Sequence, residues 1–215
     1  MITELTVLRH HTANWLGHDV SEQLIDAAAA AVSAIVKIAE VRDPYTNEHQ
    51  RRTSKIAEAI AIELGFDDRT CSRVAIGALL HDIGKIGIPL DLLSKTTVLT
   101  QYEYRLIQEH PSIGRAIVSD LDQFFKELST IIYQHHERVD GSGYPLGLAG
   151  NEIMIEAKII SVSDVLESMS THRPYRAAIG GSRAIDEILN GAGKKYDEDV
   201  SKAAISLYNN KKLNF

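Results

Sequence analysis

The chain has a single cysteine, Cys71, in 215 residues, so it can form no intrachain disulfide and no thiolate metal cluster. That suits a reducing compartment, and the expected location is cytoplasmic. Aromatic residues are only 6% of the chain, and 23 Lys and Arg face 29 Asp and Glu for a formal charge of −6. Such a balance excludes the broad basic surface that binds duplex nucleic acid, and the aromatic-interleaved groove that binds single strands. Long apolar runs are missing too. The longest, Ala27–Val36, covers about half of the ~20 residues a membrane-spanning helix needs. Met1–Val20 is too polar for a cleavable secretion signal.

What remains is an ordinary globular composition, 44% hydrophobic and 24% charged, enough for one substantial core. No segment alternates as a strand does, and no repeat is visible, so the fold class is all-α. Residues 1–20 show no clean period and are expected to be an N-terminal segment or linker, with the helical domain over 21–215. Helices are expected over Ser21–Val41, Asn47–Leu64, Asp68–Asp82, Thr100–His110, Pro111–Ser119 and Leu121–Glu137. Three more follow near 151–169, 181–190 and 197–209. Asn47 with Gln50 forms a capping box for the second of these, and Gly65 ends it. Asp140-Gly141-Ser142-Gly143-Tyr144-Pro145-Leu146-Gly147 is a loop.

The informative segment is Leu79-Leu80-His81-Asp82-Ile83-Gly84-Lys85-Ile86, which sets a histidine, an aspartate and a lysine among apolar side chains. A charge in such surroundings needs a neutralising ion or an ion-pair network. Three further stripes carry the same signature. His49 shares a face with Ile56 and Ile60, His135 and His136 follow Leu128, Ile131 and Ile132, and Asp164 follows Ala157 and Ile160. One histidine on an apolar face is an ordinary core residue. Four stripes that aim imidazoles and carboxylates inward describe a metal site. Adjacent residues lie about 100° apart on a helix, so His135 and His136 can serve two different ions.

With these motifs in order, the chain resembles the HD-GYP subfamily of HD-domain phosphohydrolases. The resemblance rests on His49, His81-Asp82-Ile83-Gly84-Lys85, His110-Pro111, His135-His136-Glu137-Arg138-Val139-Asp140-Gly141-Ser142-Gly143-Tyr144-Pro145, Asp164 and Ser170-Thr171-His172-Arg173-Pro174. It implies a single HD-domain-like helical bundle with a metal site in its core. It also implies hydrolysis of cyclic di-GMP to linear pGpG, which members often carry on to GMP, by in-line attack of a hydroxide bridging two metal ions. An upstream sensory or receiver domain, or a signalling partner protein, is implied as well. The metal ligands carried over are His49, His81, Asp82, His110, His135, His136 and Asp164, with Asp82 as the bridge. The ions expected are two divalent cations, iron or manganese, since the donors are nitrogen and oxygen without thiolate. Lys85 would stabilise charge developing on the phosphoryl group, and Asp43, Lys85, Tyr144 and Arg173 would contact substrate.

Two departures qualify the resemblance. Tyr45 stands where some members carry a glutamate for a third ion, so only two are expected. Glu167 stands where an aspartate is often found. The competing functions are a non-catalytic cyclic dinucleotide receptor and a phosphodiesterase for another cyclic dinucleotide, such as mixed cyclic GMP-AMP.

Overall fold

The computed structural model describes residues 4–17, 19–42, 44–171 and 180–213, with the backbone alone at 44–47. Helix α1 (Glu4–Leu16) lies where the sequence has no clean period, because polar His11 and Thr12 share its buried face with Leu8 and Trp15. Trp15 is 2% exposed and meets Phe125 edge to face, ring centroids 5.1 Å apart. One face of α1 thus packs against the core, where the sequence suggested only an N-terminal segment or linker.

Helix α2 (Glu22–Arg42) contains five consecutive alanines, the residue of highest helix propensity. Helix α3 (Pro44–Glu63) begins about one turn before the expected Asn47 cap, because proline suits the first helical position, where no N–H is needed. Gln50 is consequently inside the helix and buried. Gly65, at φ +79°, then takes the left-handed turn that ends the helix. Helix α4 (Asp68–Leu80) starts under Asp67, whose carboxylate accepts from the Thr70 amide at 2.8 Å. It runs into His81 and a short 3-10 turn, Ile83–Gly87, and then α5 (Leu90–Leu93). Helix α6 (Gln101–Ile107) is fixed by a Thr100–Glu103 capping box, and α7 (His110–Val118) carries proline near its start.

The single helix expected over 121–137 is instead broken. A 3-10 turn, Ser119–Gln123, precedes Glu127 in the left-handed region at φ 70°, and α8 spans only Leu128–Gln134. The break lets Phe125 insert fully into the core. Asp122 accepts from the Ser129 amide at 2.9 Å, a local side-chain bond that competes with continuing the helix. Helices α9 (Ile155–Ser170), α10 (Gly181–Gly191) and α11 (Glu198–Asn209) follow.

Helices α3, α4 and α9 pack against one another, with α1 and α2 on one side and α7 and α8 on the other. Ile60, Ile76, Ile131 and Ile160 are fully buried between them. The all-α expectation holds: among the described residues there are only two isolated β-bridges and no strand. None of the described helices is long and apolar enough to cross a membrane.

Deleting the Trp15 side chain tests whether α1 is structural. Trp15→Ala should lower unfolding free energy by roughly 3–5 kcal/mol, while exposed Val7→Ala should stay within about 0.5 kcal/mol of wild type. Urea titrations of both variants measure this, and equal midpoints would show that α1 is not held by the core.

Candidate metal centre

The candidate ligands come from five helices and meet at helix ends. His49 lies on α3, His81 and Asp82 close α4, His110 opens α7, His135 and His136 follow α8, and Asp164 is midway along α9. All of them are buried except His136 and Asp164, which are partly so. Gly84 makes the convergence possible. A Cβ there would stand 1.8 Å from the His110 carbonyl oxygen, so only glycine lets α7 approach the turn after Asp82.

The backbone sets the protonation of three imidazoles. The Nδ1 atoms of His81, His110 and His135 lie 2.6, 2.8 and 2.6 Å from the carbonyl oxygens of Ala78, Ile107 and Ile132, three residues earlier in each case. A carbonyl only accepts, so Nδ1 carries the proton and Nε2 presents its lone pair to the interior. His49 is set by a carboxylate instead, its Nδ1 bonding to Glu167. Glu167 in turn accepts from Arg52 Nε at 2.6 Å and from the Thr171 hydroxyl at 2.9 Å. This carboxylate or carbonyl behind each ring is the arrangement that orients metal-binding histidines.

The Nε2 atoms then gather around two aspartates. Asp82 Oδ1 is 3.4 Å from His110 Nε2, while Asp82 Oδ2 is 3.4 Å from His81 Nε2 and 3.7 Å from His49 Nε2. Asp164 Oδ1 is 3.1 Å from His49 Nε2 and 4.0 Å from His81 Nε2. Two groups result: Asp82, His110, His135 and His136, and beside them His49, His81 and Asp164. Within each, one ligand atom per residue lies within 4.8 Å of the others. Asp82 faces both groups, one oxygen toward each.

The residues fit divalent cations on three observations. His110 Nε2 and His135 Nε2 are 3.1 Å apart with both protons already committed to Nδ1, so two lone pairs confront each other. His81 Nε2 and Asp82 Oδ1 are buried and make no hydrogen bond. Protonation also favours binding. Burial pushes the His81, His135 and His136 pKa values down, and that of His110 to about 4, which keeps these rings neutral. Burial works against the charged form of Asp82 and Asp164, but Lys85 beside Asp82 and the imidazoles around both hold their carboxyls well below the usual range. His49 is the exception. Burial lowers its pKa, yet its bonds to Asp164 and Glu167 outweigh that and raise it, because the ring lies between carboxylates that favour positive charge there.

Lys85 and Tyr144 also reach the centre. The Lys85 ammonium is 2.5 Å from Asp82 Oδ2. The Tyr144 ring stacks on His136, centroids 4.6 Å apart at 26°, and burial pushes its hydroxyl pKa up. Asp43 and Arg173, and the Tyr45 side chain, lie outside the described residues.

One residue escaped the sequence reading. Glu137 is 2% exposed, and its carboxylate accepts from the Leu146 amide at 2.7 Å and the Leu148 amide at 2.9 Å. It folds the 140–147 loop back so that Tyr144 lies over His136. The glycines serve this fold-back as well: a Cβ on Gly143 would lie 2.4 Å from the Arg138 nitrogen and 2.5 Å from the His136 carbonyl oxygen. Gly143 therefore lets the loop approach its own chain.

The chain's similarities agree with this geometry. A sequence family described as "HD domain" matches residues 33–200. A cyclic di-GMP phosphodiesterase of Thermotoga maritima is 37% identical over 171 residues, which are 79% of this chain and 46% of that protein. A 3'3'-cGAMP-specific phosphodiesterase of Vibrio cholerae is 37% identical over 154 residues, 72% of this chain and 33% of that protein. This chain thus spans less than half the length of either relative. An HDG"Y"P protein from Bdellovibrio bacteriovorus shares the fold with a TM-score of 0.64 at 20% identity, over 95% of this chain and 70% of that one.

Stability should depend on the cations. A ligand at a hundredfold its Kd stabilises by about 2.7 kcal/mol, so chelation should lower the melting temperature by roughly 5–10 °C. Asp164→Ala should abolish most of that metal-dependent difference. Melting curves before and after verified chelation check this, and superimposable curves would mean that these side chains are ordinary core groups.

Proposed function

This chain belongs to the HD domain family, and we propose that it is a metal-dependent phosphodiesterase of the HD-GYP branch that hydrolyses cyclic di-GMP to pGpG. The observation that carries the proposal is the placement of Asp82, one carboxylate oxygen toward each of two groups of ligand atoms. A one-ion site has no use for a carboxylate so placed, nor for seven ligand residues.

His49, His81 and Asp164 would hold one ion and His110, His135 and His136 the other, with Asp82 shared. Iron and manganese suit this set of imidazoles and carboxylates. When bound, such a pair of ions polarises the phosphoryl oxygens and acidifies a water for in-line displacement.

The protein's own groups do the remainder. Glu167 and the three carbonyls keep the imidazole Nε2 atoms turned inward. Lys85, only partly buried, stands with its ammonium on Asp82, where it can meet negative charge growing on a phosphoryl oxygen. Tyr144, stacked on His136, forms the wall on the loop side and shields that imidazole from water. Arg173 is proposed from its motif to clamp a phosphate with its planar fork. An upstream sensory or receiver domain is the proposed source of regulation. The Vibrio relative's name supports a second reading, that the substrate is a mixed cyclic GMP-AMP.

Steady-state turnover of cyclic di-GMP by metal-loaded protein tests the proposal. Lys85→Ala should lower kcat by about 10²–10³-fold with little change in nucleotide binding, the signature of a lost transition-state contact. Arg173→Ala should chiefly raise KM. Tight binding of cyclic di-GMP by wild type with no linear dinucleotide or GMP formed would refute the enzyme and leave a receptor.

A further inference from the structure

The two groups of ligand atoms are not built alike. The His49, His81 and Asp164 group has a carboxylate of its own, Asp164, besides its share of Asp82. The His110, His135 and His136 group has Asp82 as its one carboxylate, and its other donors are imidazoles. Imidazoles bind cations as neutral donors, so a divalent ion meets two negative charges at the first group and one at the second. Lys85 stands on the Asp82 oxygen that faces the first group, and Asp164 offsets that positive charge.

The supports behind the ligands differ as well. His81, His110 and His135 all rest their outer nitrogens on backbone carbonyls. His49 alone among these four rests on a carboxylate: its Nδ1 bonds to Glu167 Oε2. The other Glu167 oxygen, Oε1, is held by Arg52 at 2.6 Å and by the Thr171 hydroxyl at 2.9 Å. A carboxylate draws on the Nδ1 proton harder than a carbonyl does, which leaves Nε2 the stronger donor to a cation. Asp164 is fixed too, since the Ser168 hydroxyl donates at 3.0 Å to Oδ1, the oxygen 3.1 Å from His49 Nε2. Helix α9 thus orients both His49 and Asp164 before any ion arrives.

Resting on the reading of this centre as two cation sites, we infer that the sites fill in order. The site at His49, His81 and Asp164 binds first and more tightly, and Glu167 is the positioning residue that sets the gap between the two. The site at His110, His135 and His136 is then the one whose occupancy follows the free cation concentration. Assembly of the paired centre depends on that weaker site.

The test titrates manganese(II) into the metal-free full chain, followed by calorimetry and by electron paramagnetic resonance. An isolated manganese ion gives a hyperfine-split signal that changes when a second ion shares its carboxylate. Wild type should show two resolved binding steps, with the isolated-ion signal at one equivalent and the coupled signal at two. Loss of a partner behind a ligating histidine weakens metal binding by about 10–100-fold. Glu167→Gln, nearly the same shape without the charge, should weaken the tight step by that factor and leave the weak step in place. His110→Ala should keep the tight step and lose the weak one, and His49→Ala the reverse. Two steps of equal affinity in wild type, or coupled signal from the first additions, would overturn the inference and leave the two-cation reading standing. A tight step unmoved by Glu167→Gln, or lost in folded His110→Ala, would overturn it equally. A wild type that saturates with a single ion would instead remove the two-cation reading on which the inference rests.

Discussion

The carboxylate of Asp82 is the constraint on which the structure turns. It is 2% exposed, and a buried charge without compensation is too costly for a folded chain to hold. The fold answers by bringing the ends of α4, α7 and α8 and the flank of α9 to one point. Each end supplies an imidazole whose outer nitrogen is tied to its own backbone carbonyl. The inner nitrogens then surround Asp82 with lone pairs, which cannot neutralise it. Lys85 supplies one compensating charge, and the confronted His110 and His135 leave a place for more.

The same economy governs the neighbouring elements. Gly84 has no side chain because α7 must lie against it, and that contact delivers His110. Glu137 spends a buried carboxylate on two loop amides, and the loop then sets Tyr144 on His136. Glu167 is likewise tied to His49 from behind, with Arg52 balancing its charge. Acidic groups here either face the centre or orient something that does.

Much of this was legible in the sequence because helical periodicity reports which face is buried. His49, His81, His135, His136 and Asp164 were found by asking which apolar stripes carry a polar residue. His110 had no stripe, only its place before Pro111, and the resemblance supplied it. Other features depend on distant packing and left no periodic trace. The α1 face mixes His11 and Thr12 with Leu8 and Trp15. The break between Gln123 and Leu128 exists because Phe125 enters the core and Asp122 bonds across the turn. Glu137 has a role only once the loop has folded over it. Glu167 looked like a mild variation on an aspartate, and its bond to His49 appears only when α3 and α9 are side by side.

The central claim is that Asp82 is shared between two cation sites. Elemental analysis of anaerobically prepared wild type and of Asp82→Ala, each with its fold checked by circular dichroism, measures it directly. The account predicts close to two ions per chain in wild type and a folded variant that retains few of either. A wild type that reproducibly holds one ion or three, or a variant that still holds two, would contradict it.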